Sequence, residues 1–205
     1  MRLASTLPPP PNGPMTKAEL RAQLMRELRS AAQYSTERQL AADAICAAIR
    51  ELSAWSRAQM VCAFLPLPSE PQIAALWESE PAPSFCFPRV IGDDVELIRL
   101  DDPAHRRAAN WKLDEAHHAT APTVAPAHVD LFLVPGLAFT ARGERLGRGG
   151  GFYDRLLPRR GAQSTALGIC FARQVVAEIP REPHDQLVDA VITERGVLDT
   201  LGPKM

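Results

Sequence analysis

The amino-terminal part of the chain spaces its apolar residues as an amphipathic helix does. Leucines recur at every fourth position within residues 16–33 and form one apolar face. Thr16, with Glu19 three residues later, matches a capping box and predicts that the helix begins at residue 16. The alanine-rich segment 35–52 also opens with serine and threonine, and it predicts a second helix.

Beyond these helices the apolar residues occur in short continuous runs. Such runs are typical of strands that are buried on both faces. Segments with helical spacing lie between them, and this alternation predicts a single three-layer α/β/α domain with a mainly parallel, Rossmann-like sheet. The predicted strands are 60–67, 84–90, 95–100, 130–139, 165–171 and 189–194, and the predicted later helices are 70–79, 151–160 and 173–179.

Composition favours a globular protein that binds neither nucleic acid nor a membrane. The 205 residues are 46% hydrophobic with a net charge of -1, so a core can form and any basic site must be local. No run of about 18 apolar residues exists, and the proline-rich residues 1–14 lack the apolar run of a signal peptide. We expect a flexible tail over 1–14, one domain over 15–205, four buried reduced cysteines, a monomer and a cytoplasmic location.

The segment "RGERLGRGGGFYD" (142–154) carries the strongest chemical signal. It follows a predicted strand and precedes a predicted helix, which is where ligands bind in open α/β sheets. Four glycines of this segment allow successive backbone N–H groups to surround an anion, and Arg145 and Arg148 add charge-assisted hydrogen bonds. Six arginines against two carboxylates over residues 141–160 make a polyphosphate the simplest partner.

General nucleotide motifs do not identify the anion. No Lys-Ser/Thr follows the glycines as a Walker A loop requires, and Phe152 stands where the last glycine of GxGxxG belongs. A mobile surface loop and an RGG-type RNA contact remain alternatives. The RNA contact is less favoured because RGG segments are usually long and disordered.

A longer stretch, "PGLAFTARGERLGRGGGFYDRLL" (135–157), resembles the signature of the 5-formyltetrahydrofolate cyclo-ligase family, also called methenyltetrahydrofolate synthetase. The similarity runs from about residue 15 to residue 198 and would make 15–205 a cyclo-ligase-like catalytic domain. Five further blocks carry it: "TKAELR" (16–21), "FLPLPSEPQI" (64–73), "FPRV" (87–90), "ALGICFARQVV" (166–176) and "PHDQLVDAVITERGV" (183–197).

The resemblance implies a ligase that uses ATP and Mg²⁺ to convert 5-formyltetrahydrofolate into 5,10-methenyltetrahydrofolate, ADP and phosphate. The formyl oxygen would be phosphorylated, because an amide oxygen is a poor leaving group and a phosphate is a good one. Charge from arginine, lysine and Mg²⁺ would stabilise the transferring phosphoryl group.

The resemblance also implies a role for individual residues. The residues implied for ATP are Lys17, Arg21, Arg145, Gly147, Arg148, Gly149, Gly150, Gly151, Tyr153 and Asp154, of which Arg145 and Lys17 would also be catalytic. The residues implied for the folate are Leu65, Glu70, Arg148 and Phe152. The implied Mg²⁺ carboxylates are Asp154 and Asp189, with Asp185 as a nearby competitor for the metal.

Two departures from the family pattern keep other functions open. Phe152 stands where many members have tyrosine, so a hydroxyl contact is lost, and Ala116 replaces a proline after Trp111 and Glu115. One alternative is a diverged paralogue that acts on another folate-like substrate. The other is a non-catalytic folate- or RNA-binding protein. His184, beside Asp185, is interpreted as structural.

Overall fold

The computed structural model describes residues 15–30, 35–78, 83–92, 94–100 and 120–199. The predicted tail, Trp111, Glu115 and Ala116 lie outside these residues. The helices are α1 (Lys17–Ser30), α2 (Ser35–Arg50), α3 (Ser53–Arg57), α4 (Ala75–Glu78) and α5 (Phe152–Leu156), with single 3₁₀ turns at Pro126–His128, Leu157–Arg159 and Ala172–Gln174. The strands are β1 (Met60–Cys62), β2 (Ser84–Ile91), β3 (Asp94–Arg99), β4 (Thr123–Val124), β5 (Leu131–Pro135), β6 (Ala138–Phe139), β7 (Arg145–Leu146), β8 (Thr165–Ile169), β9 (Ala190–Thr193) and β10 (Gly196–Asp199).

Eight strands of the described segments form one sheet in the order β10-β9-β8-β5-β1-β2-β3-β4. The five central strands, from β9 to β2, are parallel to their neighbours, whereas β10, β3 and β4 pair antiparallel at the edges. This arrangement confirms the predicted α/β fold with a mainly parallel sheet. All carboxyl ends of the five parallel strands therefore meet at one edge of the sheet.

Both faces of the central strands are covered, which explains their continuous apolar runs. Leu133 of β5 packs in a core that includes Ile49 of α2, on one face of the sheet. The next residue, Val134, points to the opposite core, which includes Leu156 of α5. Helices thus lie on both sides of the sheet, as the three-layer prediction requires.

Helix α1 packs against the hairpin from which the glycine-rich segment emerges. Its start is fixed by the predicted capping box, in which Thr16 N donates to Glu19 Oε2 at 2.8 Å and Glu19 N donates to Thr16 Oγ1 at 3.3 Å. The apolar face of α1 and its partners on and beside the β6–β7 hairpin form one cluster: Leu20, Leu24, Leu28, Leu137, Ala138, Leu146 and Ile179. The first turns of α1 are thereby held beside residues 147–151.

The apolar run 130–139 is two strands, not the single strand predicted from its pattern. β5 ends at Pro135, and β6 pairs instead with β7 in a separate hairpin. Between the two strands, the carbonyl oxygens of Gly136 and Leu137 accept hydrogen bonds from Gln174 Nε2, at 3.0 and 3.1 Å. A buried side chain therefore satisfies the backbone where the chain leaves the main sheet.

The predicted helix over 173–179 is wrong. Only the turn Ala172–Gln174 is helical. Val176 N then donates to Phe139 O at 2.8 Å, and Val175 pairs with Phe139 in a parallel β-bridge. Pairing with β6 holds this apolar segment in an extended conformation, so tertiary contacts override its helical spacing. The predicted helix over 70–79 is also reduced, to the single turn of α4.

All four cysteines lie in described segments and are buried free thiols, as predicted. Burial raises the pKa of Cys46 to about 11, so its thiol stays protonated at neutral pH. None of the described helices is long and apolar enough to cross a membrane.

Candidate active site

A cavity of about 520 Å³ opens at the carboxyl edge of the parallel strands. Its wall is of two kinds. One part carries charged side chains from α1, the glycine-rich loop and residues 182–185. The other part is apolar and comes mainly from the loop after β1, from β2 and β3, and from α5.

The structure brings together every residue predicted for ATP or folate. The cavity is lined by Lys17, Arg21, Leu65, Glu70, Arg145, Gly147, Arg148, Gly149, Gly150, Gly151, Phe152, Tyr153 and Asp154. These residues come from distant parts of the sequence, so their shared location depends on the docking of α1 and on the crossover connections. The role of each residue stays a prediction.

The glycine-rich loop presents backbone donors to the cavity. Gly149 and Gly151 have φ angles of 108° and 64°, a left-handed conformation that favours glycine. Within the described chain, the backbone N–H groups of residues 148–151 donate to no acceptor. Arg21 Nε donates to Gly147 O at 3.0 Å and ties the loop to α1. The loop therefore has the free donors that an anion requires.

Arg145 is held beside this loop by an ion pair and an aromatic ring. Its side chain is only 4% exposed, and its Nη2 donates to Asp154 Oδ1 at 2.7 Å. The guanidinium carbon lies 5.4 Å from the centre of the Tyr153 ring, within cation–π range. Gln186 N also donates to Asp154 Oδ1, at 3.3 Å, so the second carboxylate oxygen of Asp154 remains available.

Lys17 is held by two carboxylates of the segment 182–185. Its Nζ lies 2.6 Å from Asp185 Oδ2 and 2.7 Å from Glu182 Oε2. Partial burial opposes the charge of Lys17, but the hydrogen bonds to Asp185 and Glu182 outweigh burial and raise its pKa. Burial likewise opposes the charge of Asp185, but the hydrogen bonds from Lys17 and Glu182 N, together with the nearby positive charge, outweigh burial and lower the pKa of the carboxyl.

This pair makes stability depend on pH at both extremes. The Asp185 contribution is present above its ordinary pKa of 3.8 and is lost as the pH falls through the lower folded value. The Lys17 contribution is present below its ordinary pKa of 10.5 and is lost as the pH rises through the higher folded value. We expect Asp185→Asn to lower the free energy of unfolding by a constant amount between about pH 5 and 9, and by less outside that range. Urea unfolding of both proteins across pH measures this difference, and a difference that grows below pH 4 would contradict the ion pair.

Glu70 and Arg148 form a second pair at the cavity wall. Glu70 is 6% exposed, and its Oε2 accepts a hydrogen bond from Leu67 N at 3.0 Å. Its Oε1 accepts from Arg148 Nε and Nη2, both at 3.3 Å, while Arg148 Nη2 also donates to Ser69 Oγ at 2.9 Å. The carboxylate of Glu70 is thus fixed in orientation before any ligand binds.

The fold largely neutralises the positive charge that the sequence concentrates in residues 141–160. Five of the six arginines in this range are paired with carboxylates. The cavity itself is lined by four cationic side chains and four carboxylates. The cavity therefore has no net positive charge that could attract an anion. Attraction must come from local N–H donors, from ion pairs that exchange partners, or from a cation that binds together with the anion.

Asp189 does not line the cavity with Asp154, although the family resemblance implied that both carboxylates would hold Mg²⁺. It precedes β9, and its carboxylate accepts Arg160 Nη1 and Nη2 at 3.0 and 3.3 Å and Ala166 N at 2.7 Å. Ala166 lies at the start of β8, so Asp189 sits near the amino ends of the parallel strands, opposite the cavity. Asp189 is partly buried before an apolar strand, which explains why its carboxylate needs Arg160.

We accordingly expect Asp189→Asn to affect stability rather than metal use. Loss of the charged pair with Arg160 should lower the free energy of unfolding by about 1–3 kcal/mol. Denaturant unfolding measures this cost, and the Mg²⁺ dependence of turnover should match that of the unchanged protein. A large rise in the Mg²⁺ concentration needed for turnover would contradict this expectation and support Asp189 as a metal ligand.

Sequence reasoning missed part of the apolar wall and one charged contact. Phe87, Val90 and Val95 line the cavity from the β2–β3 hairpin. Pro88 also lines it and lies two positions from Val90 on β2, a spacing that could have identified this face, since "FPRV" was recognised only as a block. Glu182 binds Lys17, a contact across 165 positions that no local pattern reveals. His184 also lies on the wall, with a side chain that is 68% exposed.

The fold and the cavity together define an α/β protein with a ligand site at the carboxyl edge of its sheet, where anion donors adjoin an apolar wall. A model of the 5-formyltetrahydrofolate cyclo-ligase family matches residues 14–194. The chain belongs to this family of ligases, and the predicted family and enzyme class are confirmed.

Known relatives agree with this assignment over nearly their full length. The 5-formyltetrahydrofolate cyclo-ligase of Mycolicibacterium smegmatis is 32% identical over 194 residues, covering 90% of this chain and 97% of the relative. The solved 5,10-methenyltetrahydrofolate synthetase of Aquifex aeolicus superposes with a TM-score of 0.76 at 26% identity, covering 93% of this chain and 96% of its own. The synthetase of Mycoplasma pneumoniae has the same fold, with a TM-score of 0.69 at 23% identity over 88% and 99% of the two chains.

Proposed function

We propose that this enzyme converts 5-formyltetrahydrofolate into 5,10-methenyltetrahydrofolate in an ATP- and Mg²⁺-dependent reaction that releases ADP and phosphate. One observation carries the proposal: a single cavity joins the free N–H groups of residues 148–151 to Arg145 and to an apolar wall. A phosphoryl donor needs the first two features, and a flat heterocycle needs the third.

ATP phosphates would bind where the glycine-rich loop faces Lys17 and Arg145. Backbone N–H groups can approach a polyphosphate closely because Gly149 and Gly151 hold left-handed conformations. Arg145 is buried and held by Asp154 and the Tyr153 ring, which favours stabilisation of charge without reorganisation during the reaction. Lys17 would exchange its carboxylate partners for phosphate oxygens as the nucleotide binds.

The donor set fits Mg²⁺ that arrives with the nucleotide. Mg²⁺ prefers oxygen ligands and usually takes one or two carboxylates with phosphates and waters. Asp154 lies in the cavity, and its Oδ2 accepts no hydrogen bond from the described residues. Asp185 lines the same cavity. The ion would neutralise part of the phosphate charge. It would also compensate the carboxylates that lose their cation when Lys17 exchanges them for phosphate oxygens.

The folate would occupy the apolar part of the cavity, oriented by Glu70. Its carboxylate is fixed by Leu67 N and Arg148, so it can accept hydrogen bonds from the amino and ring N–H groups of the pterin. Leu65 and Phe152 would contact the ring system, and Phe152 offers an aromatic face without a hydroxyl.

The reaction then follows in two balanced steps. The formyl oxygen attacks the γ-phosphorus of ATP, the bond to the β-phosphate oxygen breaks, and ADP leaves. N10 next attacks the activated formyl carbon, the carbon–oxygen bond breaks, and phosphate departs with the former formyl oxygen. The N10 proton is lost to solvent, and Arg145 stabilises the charge on the transferring phosphoryl group.

Isotope transfer tests the phosphorylated formyl oxygen directly. 5-Formyltetrahydrofolate labelled with ¹⁸O in the formyl group should place one labelled oxygen in the released phosphate, as measured by mass spectrometry. The control uses unlabelled folate in labelled water and should give unlabelled phosphate. Labelled phosphate only in the control would mean that ATP is hydrolysed by water and that the proposed route is wrong.

A further inference from the structure

Two arginines near the cavity, Arg38 and Arg173, have no carboxylate partner among the residues that the structure describes. The guanidinium carbons of Arg38 and Arg173 lie 5.3 and 5.1 Å from the centre of the Phe171 ring. Neither side chain forms an ion pair in the described chain. Glu194 is nearby, but its carboxylate accepts from Ala172 N at 2.7 Å instead.

Two guanidinium groups held close together repel each other, and a bound anion would relieve this repulsion. Partial burial and the neighbouring charge of Arg173 both lower the pKa of Arg38, so the two cations oppose each other. Phe171 is 4% exposed and supports both guanidinium groups by cation–π contact. Guanidinium groups held by an aromatic face keep N–H edges for carboxylate or phosphate oxygens.

The pair is joined to the active-site cavity through the loop that carries Glu70. Arg38 Nη2 donates to Pro68 O and, at 3.5 Å, to Glu70 O. Leu67 and Glu70 of this loop line the cavity. An anion bound by Arg38 and Arg173 would therefore sit beside the same loop that orients the proposed folate.

The cavity volume also favours a ligand that extends outside it. Cavities of about 300–1,000 Å³ usually enclose one drug-sized ligand, and this one measures about 520 Å³. ATP and a folate are each at least as large as such a ligand, so the cavity would not enclose both completely. The glutamate tail of a folate, which carries carboxylates and no reacting atom, is the part that can lie outside.

We propose that Arg38 and Arg173 form an oxyanion subsite beside the active site, which takes carboxylate or phosphate groups. The first source is the carboxylate tail of the folate, including any additional glutamates, and this assignment rests on the proposed function. The second source of the same chemistry is free phosphate.

Arg173 is the position to change, because Arg38 also holds the Glu70 loop. Arg173→Gln removes the charge, Arg173→Lys keeps it, and Arg57→Gln removes an exposed arginine at the end of α3 as a matched control. The KM of a folate with three glutamates is compared with that of a folate with one. We expect Arg173→Gln to raise the KM of the longer substrate about tenfold and the KM of the shorter one by less, with kcat unchanged. Arg173→Lys should recover most of the loss, and Arg57→Gln should show none.

Thermal unfolding in inorganic phosphate distinguishes the second source and does not require turnover. In one outcome, phosphate stabilises Arg173→Gln less than Arg57→Gln while the KM of the folate does not depend on tail length in either variant. That result would assign the subsite to free phosphate. Equal behaviour of these two variants in both measurements would overturn the proposal. Absence of turnover in all proteins, with phosphate stabilisation still dependent on Arg173, would contradict the proposed function alone.

Discussion

Arg145→Ala is expected to lower kcat about a thousandfold, the cost typical of removing a fixed donor to transition-state charge. The side chain is 4% exposed and lines the same cavity as the glycine-rich loop, so water cannot replace it easily. The variant should fold but lose about 1–3 kcal/mol of stability, since Asp154 loses its partner. Steady-state turnover and denaturant unfolding measure the two effects separately.

Arg145→Lys provides the control for charge alone. It keeps a cation near Asp154 but loses the planar arrangement of donors, so stability should largely return while turnover stays low. An Arg145→Ala protein that does not fold would make this residue structural. Full activity of a folded Arg145→Ala protein would remove it from the phosphate site.

Glu70→Ala is expected to raise the KM of the folate about a hundredfold while the dissociation constant of ATP stays within about twofold. The substitution removes the oriented carboxylate, so Leu67 N loses its acceptor and Arg148 keeps only Ser69 Oγ in the described chain. Folate kinetics and direct titration with a non-hydrolysable ATP analogue measure the two affinities. Equal weakening of both ligands would show that Glu70 supports the whole cavity and not the folate part.

Glu70→Gln separates charge from shape in the same position. The amide keeps an acceptor for Leu67 N but weakens the pair with Arg148 and the contact with the N–H groups of the folate. We expect an intermediate rise in KM. A Glu70→Gln protein with unchanged folate kinetics would mean that only the packing of this side chain matters.

Local sequence patterns predicted the parts of the fold that local forces determine. The capping box at Thr16 and the leucine spacing of α1 defined this helix because both act within a few residues. The continuous apolar runs predicted β5 and β8 as buried strands, since both faces of each strand meet a core. The glycine-rich loop was recognised because Gly149 and Gly151 need conformations that other residues rarely adopt.

Long-range pairing was beyond those patterns. Residues 175–179 have helical spacing, yet the pairing of Val175 and Val176 with Phe139 holds the chain extended. Asp189 resembled a metal ligand by its place in the chain, and only the sheet topology shows Arg160 as its partner at the opposite edge. Predicting such contacts requires the fold and not the composition of a segment.

The number of arginines along the sequence was a poor guide to the charge of the folded site. Residues 141–160 suggested a strongly basic loop, but Arg148 is paired with Glu70 and Arg159 with Asp94, both far away in sequence. Arg38 and Arg173, which form no ion pair with any residue of the described segments, lie outside that range. The position of a charge relative to its partners, and not its density along the chain, indicates where an anion binds.

The most direct test of the proposed reaction is the near-UV absorbance of 5,10-methenyltetrahydrofolate. Purified protein is mixed with 5-formyltetrahydrofolate and Mg²⁺, with and without ATP, and Arg145→Ala serves as the matched control. The account predicts a rise in absorbance that requires ATP and is almost absent in the variant. No rise with folded protein and ATP, or an equal rise without ATP, would contradict the proposed ATP-dependent cyclisation.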